Sequence, residues 1–268
     1  MSRLDRVDPS RHGRGHSIAP PKLTGLRRAP WWVAVSVAGI TLLLLCWTAP
    51  FASAHPTVIL RAPFHHATTF LDRFAFSSGC HAAGTFPSNA TLNLSTGQVA
   101  GWTRAIARDC GNGSSWAEAY VGLEFTGFLL RASTATPITI AIEWSAAWAG
   151  QATVVGGTSL ATGHATWLVY IQSFVDDNNS TTGRTVSSAN LNLGGAGYIF
   201  NGTSASNGRG TFWNNMSFTP VAGHVYDISS LLGVDAYAQS DATGVFASAG
   251  ANVAGPGYGG RLVSVTIS

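Results

Sequence analysis

Beyond residue 66 the apolar side chains fall mainly at every second position, the spacing of strands with one buried and one wet face. From Ser115 to Arg131, one face carries Ala117, Ala119, Val121, Leu123, Phe125, Gly127 and Leu129. The other carries Trp116, Glu118, Tyr120, Gly122, Glu124, Thr126 and Phe128, so the first set predicts the core side. From Pro137 to Trp148, Ile138, Ile140, Ile142, Trp144 and Trp148 alternate with Thr139, Ala141, Glu143 and Ser145, which places both tryptophans inside. Trp167, Val169, Ile171 and Val175 form a further stripe, as do Tyr226 with Ile228, and Val263, Val265 with Ile267. Turn-forming clusters at Gly156-Gly157, Asp176 to Gly183, Gly194-Gly195, Asn207-Gly208 and Gly255 to Gly260 separate these runs. The pattern predicts an all-β fold of about 10 antiparallel strands, a jelly-roll-like β-sandwich over residues 67–268 without an internal repeat.

Ahead of this domain, Trp31 to Ala54 contains no charged residue and predicts one apolar helix. Residues 1–30 hold six Arg, one Lys and two Asp, a charge of +5, with no apolar periodicity, and read as a disordered basic tail. Arg27, Arg28 and Lys22 flank the apolar run, and the positive-inside bias keeps this tail in the cytosol and sends residues 55–268 across the membrane. The 19 residues from Trp31 to Ala49 exceed a signal-peptide core of roughly 7 to 15 residues and favour a retained anchor through residues 31–50. Pro50 and the small-x-small run Ala52-Ser53-Ala54 favour cleavage after Ala54 instead, so a single-pass surface protein and a secreted one both stand. Residues 55–66, with Pro56 and Pro63, read as a linker or an extended lead-in strand.

Charge then removes one class of partner. Residues 55–268 contain eight Arg and ten Asp plus Glu, a net −2, so the basic character of the whole chain belongs to the tail and points to no nucleic acid. Cys46 lies within the apolar run, which leaves Cys80 and Cys110 as the pair exposed to an oxidising compartment and predicts a disulfide. Sequons at Asn89, Asn93, Asn112, Asn178, Asn179, Asn201 and Asn215 predict a glycosylated surface, and glycans would hydrate a domain with so few charges.

Candidate chemistry is sparse. Trp116, Glu118, Tyr120 and Glu124 share the polar face of one strand and form the candidate ligand-contacting patch, with ring faces to stack on a neutral sugar and carboxylates to bind its hydroxyls. Partners would then be glycans or other envelope proteins. A jelly-roll glycoside hydrolase is the alternative: it needs two carboxyls about 5 to 5.5 Å apart, available only if Glu143 meets Glu118 or Glu124 across neighbouring strands. A pilin-like filament subunit is a third reading, weakened by Pro30 and Pro50 in and around the helix. No Gly-x-Ser-x-Gly elbow or cofactor fingerprint occurs, and no metal site is expected, because Cys80-His81 lacks zinc spacing, as do His65, His66, His164 and His224. Asp176-Asp177-Asn178-Asn179 reads as a turn rather than a calcium loop.

The C-terminal run Phe218-Thr219-Pro220-Val221-Ala222-Gly223-His224-Val225-Tyr226-Asp227-Ile228, then Ala236-Tyr237-Ala238, Phe246 to Val253 and Leu262 to Ile267, resembles the end of exported prokaryotic β-sandwich proteins of unknown function. The resemblance implies the fold and an extracellular setting, and it carries no catalytic residues.

Overall fold

The computed structural model describes residues 57–268 apart from 80, 88, 89, 109–113, 157–161, 182 and 256. The alternating runs become strands β1 (Val58–Arg61), β2 (Thr68–Ser78), β3 (Ala83–Thr85), β4 (Thr91–Asn93), β5 (Gln98–Ala100), β6 (Trp102–Arg108) and β7 (Ser115–Arg131). They continue as β8 (Ile138–Val155), β9 (Gly163–Asp177), β10 (Arg184–Ile199), β11 (Gly202–Phe218), β12 (Val225–Ser240), β13 (Phe246–Asn252) and β14 (Gly259–Ile267). All pair antiparallel, in a five-stranded sheet ordered β10-β9-β12-β7-β2 and a nine-stranded sheet. In the second sheet β8 is the spine. β11 follows its full length on one side, while β13 and then β14 divide the other.

The two sheets bury most of the side chains that the alternation assigned inward. In β14 a bulge between Leu262 and Ser264 breaks the expected stripe, so that Leu262 and Val265 are enclosed and Val263 is only half-buried. Val121, Leu123 and Phe125 of β7, Ile140, Ile142 and Trp144 of β8, and Val169 and Ile171 of β9 are fully enclosed. A polar link crosses this core: Trp144 Nε1 donates to Ser230 Oγ at 2.9 Å, Ser230 Oγ meets Ser173 Oγ at 2.8 Å, and Asn214 Nδ2 donates to Ser173 Oγ at 3.1 Å. Trp144 and Asn214 belong to one sheet and Ser173 and Ser230 to the other, so the link fixes their relative register.

Three further expectations change. The alternation of β7 reverses at Gly127, whose φ of 86° places an extra residue in the strand opposite Ser229. As a result Phe128 is 5% exposed and Leu129 66%, the opposite of the simple period-two reading, because a one-residue slip exchanges the faces. Gly194-Gly195 and Asn207-Gly208, expected as turns, lie inside β10 and β11. A Cβ would stand 2.2 Å from the Trp148 ring at Gly194 and 2.6 Å from it at Gly208, so these glycines clear space for a buried indole. Finally, part of the expected linker is structural: β1 pairs with β14, and the Phe64 ring packs 5.8 Å from Phe125 and 5.3 Å from Phe128.

The apolar run from Trp31 to Ala54 lies outside the described residues, as does Cys46. Among the described residues no helix is long and apolar enough to cross a membrane.

Candidate functional site

The outward face of the five-stranded sheet is a ladder of five rows set by register. From one end these are Ser78, Trp116, Gln239 and His164; then Phe76, Glu118, Tyr237 and Thr166; then Phe74, Tyr120, Asp235 and Leu168. The fourth row is Asp72, Gly122, Gly233 and Tyr170, and the fifth Phe70, Glu124, Leu231 and Gln172. Trp116, Glu118, Tyr120 and Glu124 therefore share one face and remain partly exposed. They do not form one cluster, since Trp116 and Glu124 stand eight residues, or about 26 Å, apart along β7.

What the fold does assemble is an aromatic strip through the middle rows. The glycines of the fourth row leave a hollow, and two tyrosines lie across it: a Cβ at Gly122 would be 2.3 Å from the Tyr120 hydroxyl, and one at Gly233 2.4 Å from Tyr170 Cζ. Tyr120 donates its hydroxyl proton to the Tyr170 oxygen, and burial raises both phenols above their usual range. Phe74 stacks on Tyr120 at 5.0 Å with a 27° interplanar angle, and Phe76 follows at 5.4 Å. Phe74, Phe76, Tyr170 and Tyr237 are absent from the sequence-derived patch. The mid-strand glycines Gly122 and Gly233 were the available signal, because a glycine within a strand often marks close approach by another group.

Carboxylates border the strip. Asp235 is pushed up to about 6, first by burial and then by the neighbouring Glu118 carboxylate, and its Oδ1 is buried without a hydrogen-bond partner. Glu124 is also raised by burial, against a hydrogen bond from Ser229. At the far end Tyr237 donates to Gln239, whose amide donates to Asp241 Oδ1 at 2.5 Å, while Asp241 Oδ2 lies 3.4 Å from His164 Nε2. These groups can give and take hydrogen bonds beside flat rings, the combination that sugar hydroxyls and a pyranose face require.

The pH dependence of Asp235 has a definite sign. Its pKa rises from 3.8 to about 6 on folding, so between those values the native state holds a proton that the unfolded state releases, and stability falls as pH rises through that window. Asp235→Asn should remove this slope and increase stability at pH 7 by roughly 1–3 kcal/mol. Urea unfolding at pH 3.5 and pH 7 checks it: an equal gain at both would show that Asp235 is not the titrating group.

Glu143 does not join this face. It lies on β8, on the outward face of the other sheet, where it pairs in register with Trp213 and its Oε2 accepts from Ser264 Oγ at 3.0 Å. The core separates it from Glu118 and Glu124, which corrects the glycosidase pairing expected from sequence. Asp177 forms a turn, accepting from Asn179 N at 2.9 Å and meeting His224 Nδ1 at 2.9 Å, which lowers its pKa. Among the described residues no three His, Cys, Asp or Glu converge as a metal site. Asn93, Asn178, Asn179, Asn201 and Asn215 are exposed; Asn89, Asn112, Cys80 and Cys110 lie outside the described residues. No family model matches this chain, and no curated protein matches its sequence.

Proposed function

We propose that the protein is an exported, glycosylated cell-surface or secreted β-sandwich, jelly-roll-like in its chain path, that binds neutral glycan on the outward face of its five-stranded sheet. The observation that carries this reading is the strip of Phe76, Phe74, Tyr120 and Tyr170 laid across Gly122 and Gly233 with Glu118 and Asp235 beside it. Rings give area with little ordering cost, and a few stacking contacts with carboxylate hydrogen bonds yield roughly millimolar to micromolar binding. Export accords with the apolar run and its basic flank.

A neutral-glycan array followed by calorimetry on the full chain tests the reading. Phe76 is 57% exposed, so Phe76→Ala should leave the melting temperature nearly unchanged while weakening the best ligand about fivefold, equivalent to one lost stacking contact of about 1 kcal/mol. Absence of any bound neutral glycan, or unchanged affinity in the variant, rejects it. A hydrolytic role is the second reading, and one observation favours it: Asp235 with its raised pKa stands beside Glu118. It requires reducing ends to be released from the bound glycan by the parent protein and not by Asp235→Asn.

A further inference from the structure

The nine-stranded sheet presents an opposite chemistry. Its outward rows run Arg104, Gly250, Gln151 and Ala205; Trp102, Asn252, Ala149 and Asn207; Gly259, Ala147 and Arg209; and Arg261, Ser145 and Thr211. The spine of this face is small, with Ser145, Ala147 and Ala149 in sequence along β8, and larger side chains stand on the flanking strands. The result is two depressions of about 740 and 620 Å³ placed end to end along β8. From Ser145 to Gln151 the floor extends about 20 Å at the usual strand rise.

We propose that this groove binds a single chain of an anionic polysaccharide, a pyranose polymer bearing carboxylate or sulfate groups. Charge comes first in the argument. Arg104 lines the first depression, and Arg209 and Arg261 stand on either side of β8 in the second. Among the described residues neither Arg104 nor Arg209 meets a carboxylate, while Arg261 Nε donates to Thr96 O at 3.0 Å, which holds its guanidinium at the rim. Glu143 is the one carboxylate that the described residues of this face present, and it is already bonded to Ser264 beyond the end of the groove. The guanidinium fork suits carboxylate and sulfate oxygens.

Aromatic and amide groups complete the lining. Trp102 is 36% exposed on one wall and Tyr258 39% exposed at the other depression, which supplies a ring face for each half of the groove. Gln151, Asn207 and Asn252 place amides in the first depression, beside Trp102, for sugar hydroxyls. A second copy of the protein fits less well, because the acids of its five-stranded face, Glu118, Glu124 and Asp235, are half-buried and cannot enter a groove floored by alanine and glycine. Nucleic acid fits less well too: its affinity is built from many phosphate contacts along the backbone, and the described lining of this groove offers three arginines, Arg104, Arg209 and Arg261.

This second site is independent of the neutral-glycan site, and the experiment keeps them apart. Oligogalacturonate and dextran sulfate are titrated into the full chain, with methyl-esterified oligogalacturonate and neutral dextran as their uncharged counterparts. At least one charged probe should bind at 50 mM salt, at least tenfold more tightly than its counterpart. That binding should fall about tenfold at 500 mM salt, at least tenfold in Arg209→Gln/Arg261→Gln, and several-fold in Trp102→Ala. Phe76→Ala, on the opposite face, should leave it unchanged. The proposal is overturned if neither charged probe binds, if the uncharged counterpart binds equally, or if the arginine variant keeps full affinity. It is likewise overturned if Phe76→Ala abolishes binding, or if the arginine substitutions remove only concentration-dependent self-association in sedimentation runs.

Discussion

Trp144→Ala should destabilise the protein by about 3–5 kcal/mol, the range for truncating a fully buried indole. Two losses combine at this position. The ring is 0% exposed and packs 5.9 Å from Phe125, so its removal leaves a cavity that two hydrogen-bonded sheets cannot close by shifting. Its Nε1 is also the member of the Trp144, Ser230, Ser173 and Asn214 link that joins β8 to the five-stranded sheet. Trp144→Phe separates the two, since it keeps most of the volume and discards the donor, and it should cost about 1–2 kcal/mol. Ser230→Ala should cost about 1–3 kcal/mol, because it strands a buried indole N–H. Denaturant unfolding of the three variants gives the order Trp144→Ala, then Ser230→Ala, then Trp144→Phe. A cost below about 1 kcal/mol for Trp144→Ala would contradict the packing described.

The second large effect is expected at Cys80, on the proposal that it bonds to Cys110. The described residues on either side already join the two segments: Ser78 pairs with Trp116, and Ala83 pairs with Ile106. A bridge between the cysteines would close a loop of 31 residues, which the chain-entropy model values at about 3.5–4 kcal/mol. Cys80→Ala should therefore lower stability by about 2–5 kcal/mol, and dithiothreitol should lower the parent to the same level without affecting the variant. Peptide mapping under non-reducing conditions that recovers both cysteines as free thiols would end the proposal.

Strands β7, β8 and β9 were legible because each buries one face against the other sheet, and burial on one face is what writes a period of two into a sequence. β10 and β11 were obscured by the same packing. Their glycines at 194 and 208 serve the Trp148 ring, yet a glycine pair or an Asn-Gly pair is locally indistinguishable from a turn. The Gly127 reversal could not be read either, since a bulge depends on the partner strand, and here the partner contributes Asp227, whose Oδ1 accepts from Gly127 N at 2.9 Å. At the candidate site, alternation along β7 found one column of the ladder. The remaining columns, on β2, β12 and β9, required knowing which strands are neighbours, and β12 reaches β7 from about a hundred residues away, as Asp235 opposite Tyr120 illustrates. The Glu143 pairing failed for the same reason: a carboxylate on an outward strand position does not reveal which of two outward faces it occupies.

β1 and β14 are neighbours, Val58 opposite Ile267, and β14 also completes the side of β8 that β13 leaves open. For a chain that emerges N-terminus first, from a ribosome or from a translocation channel, this pairing makes folding wait. Until residue 267 is free, Ile140 to Trp144 have an unpaired flank and β1 has no strand to join, and such edges attract other chains. Completion of the nine-stranded sheet therefore depends on the last strand of the chain. A chain truncated before Gly259 would be left with a permanently open, aggregation-prone spine.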